Sequence, residues 1–313
     1  MTADAGGAPD TLLKFMLGAG HVRGVAVRLR SSWQEMQRRR AHAPVVQNLL
    51  GEMAAAAALL AGSLKFDGTL VLQIQGDGPL RLAVAECQPD FGLRATAKSD
   101  AGAAAADGLA ALANAHGRGR CVITLDPRQS GSAPYQGIVA LADAAGAALQ
   151  DLGAVLGQYL AQSEQIPSWL LLAADARAAC GLLVQRMPES GGGADSALAD
   201  EDFARAVHLA STLSRDELLG DAPEELLRKL FWDEQARVFE PRLPHFHCTC
   251  SQARVADMLR MLGREEVESV LQERGEVDVT CEFCGAGYAF DLIDAARLFR
   301  SGVDQPPVPA HPQ

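Results

Sequence analysis

The chain has 313 residues and 33.0 kDa, with 28 basic against 39 acidic side chains and a formal net charge of −11. So acidic a chain is a poor generic ligand for phosphate backbones and anionic lipid surfaces, so neither nucleic acid nor membrane is an expected partner. Hydrophobic residues make up 48% of it, which supports one sizeable core with smaller modules and argues against global disorder.

The first residues, Met1-Thr-Ala-Asp-Ala-Gly-Gly, carry an acid and no apolar run, and no arginine precedes Arg23. Neither a signal peptide nor a transit peptide is expected. The most apolar stretch, Met53 to Gly62, is too short to span a bilayer. The expected location is cytoplasmic. There, seven cysteines point to metal or redox chemistry instead of a disulfide framework.

In chain order, Val22 to Arg30 alternates: Val25, Val27 and Leu29 fall on one side, Arg28 and Arg30 on the other. That pattern predicts a half-buried strand. Pro44 suits a first helical turn, and a helix is expected from there to about Lys65, with a turn at Asp67-Gly68. Leu70–Gln75 and Leu80–Ala85 read as strands joined by the Gly76-Asp-Gly-Pro79 turn. Further strands are expected at Cys121–Leu125, Gln136–Leu141 and Trp169–Ala173, and a helix over Ala148–Gln162. Local strand pairing interleaved with helices predicts an α+β core domain with a mixed β-sheet and packed helices, residues 1–190.

A flexible boundary is read at Pro188-Glu-Ser-Gly-Gly-Gly-Ala-Asp. Residues 191–241 are expected to form a helical, acidic linker, helical from about Asp200 to Phe239. Ser214-Arg-Asp-Glu217 and Asp221-Ala-Pro-Glu224 both have capping-box spacing. Leu226, Leu227, Leu230, Phe231 and Gln235 fall around one side of the second linker helix. Residues 242–313 are expected to hold a small cysteine module and a proline-rich, disordered tail.

That module carries the most informative pattern in the chain. Cys248-x-Cys250 and Cys281-x-x-Cys284 are separated by thirty residues. Two short chelating pairs can wrap one tetrahedral ion, and four soft thiolates fill the coordination shell of Zn²⁺. A full thiolate shell leaves no open position for water, so metal catalysis is not expected. Two readings stay open: a permanent structural clip, or a clip that oxidation opens. His245 and His247 lie beside Cys248 and read as surface or packing residues, since four cysteines already complete a site. Cys87, Cys121 and Cys180 are isolated and read as inert core residues. Gly18-Ala-Gly20-His-Val-Arg-Gly24 has the wrong spacing for a dinucleotide loop and precedes a strand. No nucleophile elbow, phosphate loop or other enzyme constellation is present, so the chain is not expected to be an enzyme.

Further blocks carry a family resemblance. They are Val22-Arg-Gly24, Leu50-Gly-Glu52, Leu64-Lys-Phe-Asp-Gly68, Gln73-Ile-Gln-Gly-Asp-Gly-Pro79, Tyr135-Gln-Gly137, Ser163-Glu-Gln165 and Gly181-Leu-Leu-Val-Gln185. Phe246-x-Cys-x-Cys-Ser251 and Cys281-Glu-Phe-Cys-Gly285 with Tyr288-x-Phe290 complete the series. In this order, from about Asp10 to Phe299, the chain resembles the 33 kDa heat-shock protein family of redox-switched bacterial holdase chaperones. The resemblance implies an ATP-independent chaperone that binds unfolding clients under oxidative stress. It implies one Zn²⁺ held by Cys248, Cys250, Cys281 and Cys284 in the reduced, inactive form. It also implies activating disulfides Cys248–Cys250 and Cys281–Cys284, zinc release, linker unfolding and homodimerisation of the oxidised form. Clients then pass to an ATP-driven foldase. The chain departs from the family pattern at Ser251-Gln-Ala-Arg254 and in the Gly191–Gly193 insertion. The contrasting expectation is an adaptor with a static structural zinc ribbon; the acidic residues between 264 and 291 disfavour a nucleic-acid target.

Overall fold

The computed structural model describes residues 9–299 except 19, 130 and 188–193. The glycine run at 191–193 and the proline-rich tail lie outside the described residues. Strands β1 (Thr11–Leu17) and β2 (Val22–Leu29) form a hairpin, followed by helices α1 (Ser31–Arg39) and α2 (Pro44–Ser63). Strands β3 (Gly68–Gln75), β4 (Leu80–Cys87) and β5 (Gly92–Ser99) form a meander. Helix α3 (Gly108–Ala113), strands β6 (Arg120–Pro127) and β7 (Tyr135–Ala140), helix α4 (Leu152–Gln162) and strands β8 (Ser168–Ala174) and β9 (Ala179–Arg186) follow. Then come α5 (Ala194–Ala210), α6 (Arg215–Gly220), α7 (Pro223–Phe231) and two short strands, β10 (Arg237–Val238) and β11 (His245–Phe246). The last elements are α8 (Gln252–Leu262), α9 (Arg264–Arg274), the hairpin β12 (Val277–Thr280) and β13 (Gly287–Phe290), and α10 (Leu292–Leu298).

The class is α+β, as expected. The strands of the larger part are shared between two sheets, one ordered β10-β1-β2-β9-β8 and one ordered β11-β5-β4-β3-β6-β7. Their pairings are antiparallel except for the parallel β11–β5 pair. The chain divides into two compact units between Cys248 and Thr249.

Helix α2 starts at Pro44, whose missing N–H costs nothing in a first turn. Its Ala54–Ala58 run has the highest helix propensity available and brings no bulk. The helix packs on strands of both sheets, and every residue from Leu49 to Leu60 is buried. A helix buried all round needs no polar face, so the whole 20-residue segment is apolar enough by length and composition to cross a membrane. Here its apolar surface is covered by protein.

One strand reading and one helix reading change. Strand β2 is buried on both faces, not one. Val25, Val27 and Leu29 face the α2 core. The opposite face joins a second apolar cluster in which Leu13, Phe15, Leu17, Ala26, Leu182 and Val184 pack against residues of α5, α6 and α7. Arg28 lies on that second face, buried, and donates to the Gly220 carbonyl at 3.1 Å and the Leu219 carbonyl at 3.4 Å. Gly24 is needed here because a Cβ would stand 2.0 Å from the ring of Phe15, its cross-strand partner, which in turn stacks on Phe231 at 5.5 Å. Helix α4 begins at Leu152, later than expected, because Asp151 accepts from Ala154 N and caps it.

The linker is helical but shorter than expected. The Ser214–Glu217 capping box forms in full. The second one does not: Ala222 is the N-cap of α7 and Pro223 its first residue, while Asp221 pairs with Lys229 at 2.9 Å. Helix α7 ends at Phe231, and Gln235 lies beyond it with a left-handed φ of 47°. Residues 237–238 are then extended as β10 on the edge of β1, since that edge offers unpaired backbone groups that a further helical turn leaves unmet.

Candidate metal centre

The path to the first cysteine pair is fixed by backbone pairing. Arg242 and Leu12 exchange two hydrogen bonds of 2.9 Å, and β11 adds to β5 with Phe246 opposite Leu93. His247 N then donates to Leu93 O at 3.0 Å. The guanidinium of Arg39 lies 4.8 Å from the centre of the Phe246 ring, which holds the outer side of this short strand. Cys248 follows directly, and Arg94 Nη1 reaches its sulfur at 3.8 Å.

Ser251 caps α8 by accepting from Arg254 N, so Cys250 is held at the mouth of a helix. The second pair comes from the β12–β13 hairpin, whose loop runs from Cys281 to Ala286. Gly285 N donates to Cys281 O at 2.8 Å, and Cys281 N donates to Ala286 O at 2.9 Å. Gly285 has a φ of 72°, a left-handed turn that a side chain strains. This tight knuckle goes with sulfurs of Cys281 and Cys284 that lie within 4.8 Å of each other.

The four sulfurs of Cys248, Cys250, Cys281 and Cys284 lie within 4.8 Å of one another. Cys250 and Cys284 are 3.3 Å apart. A tetrahedral ion with metal–sulfur bonds of about 2.3 Å sets sulfurs about 3.8 Å apart, so the set fits one such ion. The Tyr288 hydroxyl donates to Cys250 at 3.1 Å, and this hydrogen bond is the main cause that pushes the phenol up to about 12. His245 and His247 do not belong to the group; His245 Nε2 lies 3.9 Å from Asp90.

The core of the unit that starts at Thr249 is small. Among the described residues eight apolar side chains form its buried cluster, including Leu259, Val267, Leu271 and Phe290. A domain with so little apolar burial is marginal without a further constraint.

The other three cysteines are elsewhere. Cys87, Cys121 and Cys180 are fully buried in strands, and burial pushes each thiol up to about 12. They stay protonated and unreactive in the folded chain. Of the Gly18–Gly24 segment, residue 19 lies outside the described residues, and Val22 to Gly24 form the start of β2. Sequence reasoning passed over Arg94, Glu86 and Tyr288. Tyr288 stood in a quoted motif without a role; the other two are distant in sequence and carried no signal.

Comparison with known proteins places these features. The family model described as Hsp33 protein matches residues 10–291. A protein named 33 kDa chaperonin from Chromobacterium violaceum is 43% identical over 290 residues, covering 93% of this chain and 94% of that one. Its namesake from Methylobacillus flagellatus is 40% identical over 298 residues, covering 95% and 97%. The crystal structure of the 33 kDa chaperonin (heat shock protein 33 homolog) from Thermotoga maritima matches with a TM-score of 0.76 at 23% identity, covering 92% of this chain and 97% of that one, a likeness of fold. With a match that runs from β1 to the end of the β12–β13 hairpin and relatives of this similarity, the chain belongs to the Hsp33 protein family.

Proposed function

We propose that this chain is an ATP-independent holdase chaperone that is off when reduced and metal-bound and is switched on by oxidation of its four cysteines. The observation that carries the reading is the apolar face of the five-stranded sheet. Leu13, Phe15, Leu17, Ala26, Leu182 and Val184 form a continuous surface whose cover is helix α5 and the shorter helices α6 and α7, of six and nine residues. Helices as short as the last two depend on tertiary support, so that part of the cover is easily lost. Once bare, such a face binds the exposed apolar segments of unfolding proteins without any nucleotide.

Cys248, Cys250, Cys281 and Cys284 would hold Zn²⁺, which when bound supplies the missing constraint on the small core beside it. The redox step belongs to the sulfurs. One thiolate takes chlorine from hypochlorous acid and releases hydroxide; its neighbour attacks that sulfur and expels chloride. Two electrons pass from sulfur to chlorine and one S–S bond forms. The pairs assigned are Cys248–Cys250 and Cys281–Cys284, and each disulfide withdraws two donors from the set. Thiol exchange reverses the step.

In this reading residues 1–190 bind clients and dimerise in the oxidised form, 191–241 are the releasable linker, and 242–313 are the switch. Clients leave for an ATP-driven foldase when reducing conditions return, and the setting is the cytoplasm. The test is light scattering of a chemically unfolded client diluted into reduced, zinc-loaded protein or its hypochlorite-treated form. Suppression by the oxidised form alone, reversed by reductant with zinc, is expected. Equal inactivity of both forms favours a static zinc ribbon, and equal activity leaves a chaperone without the switch.

A further inference from the structure

Arg94 and Glu86 are opposite each other on β5 and β4. Both side chains are 14% exposed, and Arg94 Nη2 and Nε lie 2.6 and 2.7 Å from the same Glu86 oxygen. A cross-strand pair of this kind is complete with one edge of the guanidinium. Here the Nη1 group is turned to Cys248 instead, at 3.8 Å from its sulfur. The approach is built by the backbone: β11 zips in register onto β5 and so delivers Cys248 next to residue 94.

We propose that the Glu86–Arg94 pair is part of the metal centre, with Arg94 a positioning residue that holds the Cys248 sulfur and offsets the negative charge of the thiolate set. The proposal rests on the metal reading of the four cysteines. Four thiolates around a divalent cation carry two net negative charges, in a chain already at −11. A largely buried guanidinium against one sulfur stabilises that excess and orients the ligand, while Glu86 fixes the guanidinium. Partners of this kind typically change metal affinity about 10–100-fold when removed.

The experiment uses the full reduced chain loaded with zinc and titrated with a chromophoric chelator. Arg94→Ala is expected to weaken zinc binding about tenfold or more. Arg94→Lys keeps the charge but loses the fork, and falls between. Glu86→Gln moves in the same direction by less, because the guanidinium remains but is no longer anchored. Arg81→Ala, which removes an exposed partner of Asp100 from the same β4, serves as the control and leaves affinity unchanged. In cobalt-loaded protein the thiolate-to-metal charge-transfer band is expected at lower energy in Arg94→Ala, since a sulfur that loses a hydrogen bond gives up its electron more readily. A purely structural role for the pair leaves that band in place. Wild-type affinity with an unshifted band in both Arg94 variants overturns the proposal. Where Arg94→Ala does not fold, Arg94→Lys and Glu86→Gln carry the test. A wild-type chain that takes up neither metal overturns the metal reading itself, and the proposal with it.

Discussion

Asp10 is 2% exposed and accepts from the backbone N–H groups of Arg30, Ser31 and Ser32, at 2.5, 2.8 and 2.9 Å. Those are donors that α1 leaves unmet at its start, and no side chain of the helix itself meets them. Asp10→Ala strands buried donors and is expected to cost about 2 kcal/mol, read from the urea midpoint at neutral pH. The buried thiols set a different limit. Cys87, Cys121 and Cys180 stand at about 12 in the folded chain against 9.0 when free. A folded-state value raised above the unfolded one contributes stability that is complete below the unfolded value and is lost as pH rises through the folded one. The urea midpoint is therefore expected to hold up to about pH 9 and to fall between about 9 and 12. A variant with all three replaced by alanine should show a shallower fall over that window; an identical slope refutes the assignment. Burial drives Tyr159 upward as well, in the same sense.

Among the elements, α6 is tied down by polar contacts at both ends. Arg215 reaches Glu52 of α2 at 2.6 Å and the Leu172 carbonyl at 2.8 Å, and Arg28 holds the carbonyls at the other end. Glu52 is 9% exposed, and burial raises its carboxyl although Arg215 opposes the shift. Arg215→Ala leaves that carboxylate buried without its cation, at a cost of about 1–3 kcal/mol. The expected result is faster amide exchange confined to residues 215–220 and their neighbours in α7, with β2 and β9 unchanged. The long α2 was legible because proline, an alanine run and its stop at Lys65-Phe-Asp-Gly68 agree. Strand β9 was not assigned, although Gly181-Leu-Leu-Val was noted, because a strand buried on both faces lacks the alternation that marks a half-buried one; β1 was passed over although Leu13, Phe15 and Leu17 are buried and alternate with the half-buried Lys14 and Met16. Helix α1 was missed because its cap, Asp10, lies 21 residues before its first residue. The end of α7 was misjudged for a related reason: β10 is specified by the open edge of β1, not by its own two residues.

At the scale of the whole molecule the two compact units rest on unequal cores, a large one around α2 and one that, among the described residues, holds eight buried apolar side chains. Structural zinc contributes about 10–16 kcal/mol in comparable peptides, more than so small a core supplies. Removing the metal from reduced protein with a strong chelator is expected to open residues 249–299 to protease while fragments covering β1–β9 survive. Protection of both units after chelation counts against the metal's structural role. The group of four cysteines could be read directly because cysteine pairs announce themselves by spacing. Its supports could not: Arg94 and Glu86 reach the first sulfur only through a two-residue strand addition more than 150 positions later.

The position of α2 between two sheets also orders the birth of the molecule. Its partners β1 and β2 precede it, β3 to β5 follow soon after, but β9, which lies between β2 and β8 in the other sheet, ends only at Arg186. Until that strand emerges from the ribosome, β2 is paired on the β1 side alone and one flank of a twenty-residue apolar helix stays open. Nascent chains stalled before Ala179 should therefore be captured by a chaperone that chains released after Arg186 escape, which co-purification of stalled complexes reads out.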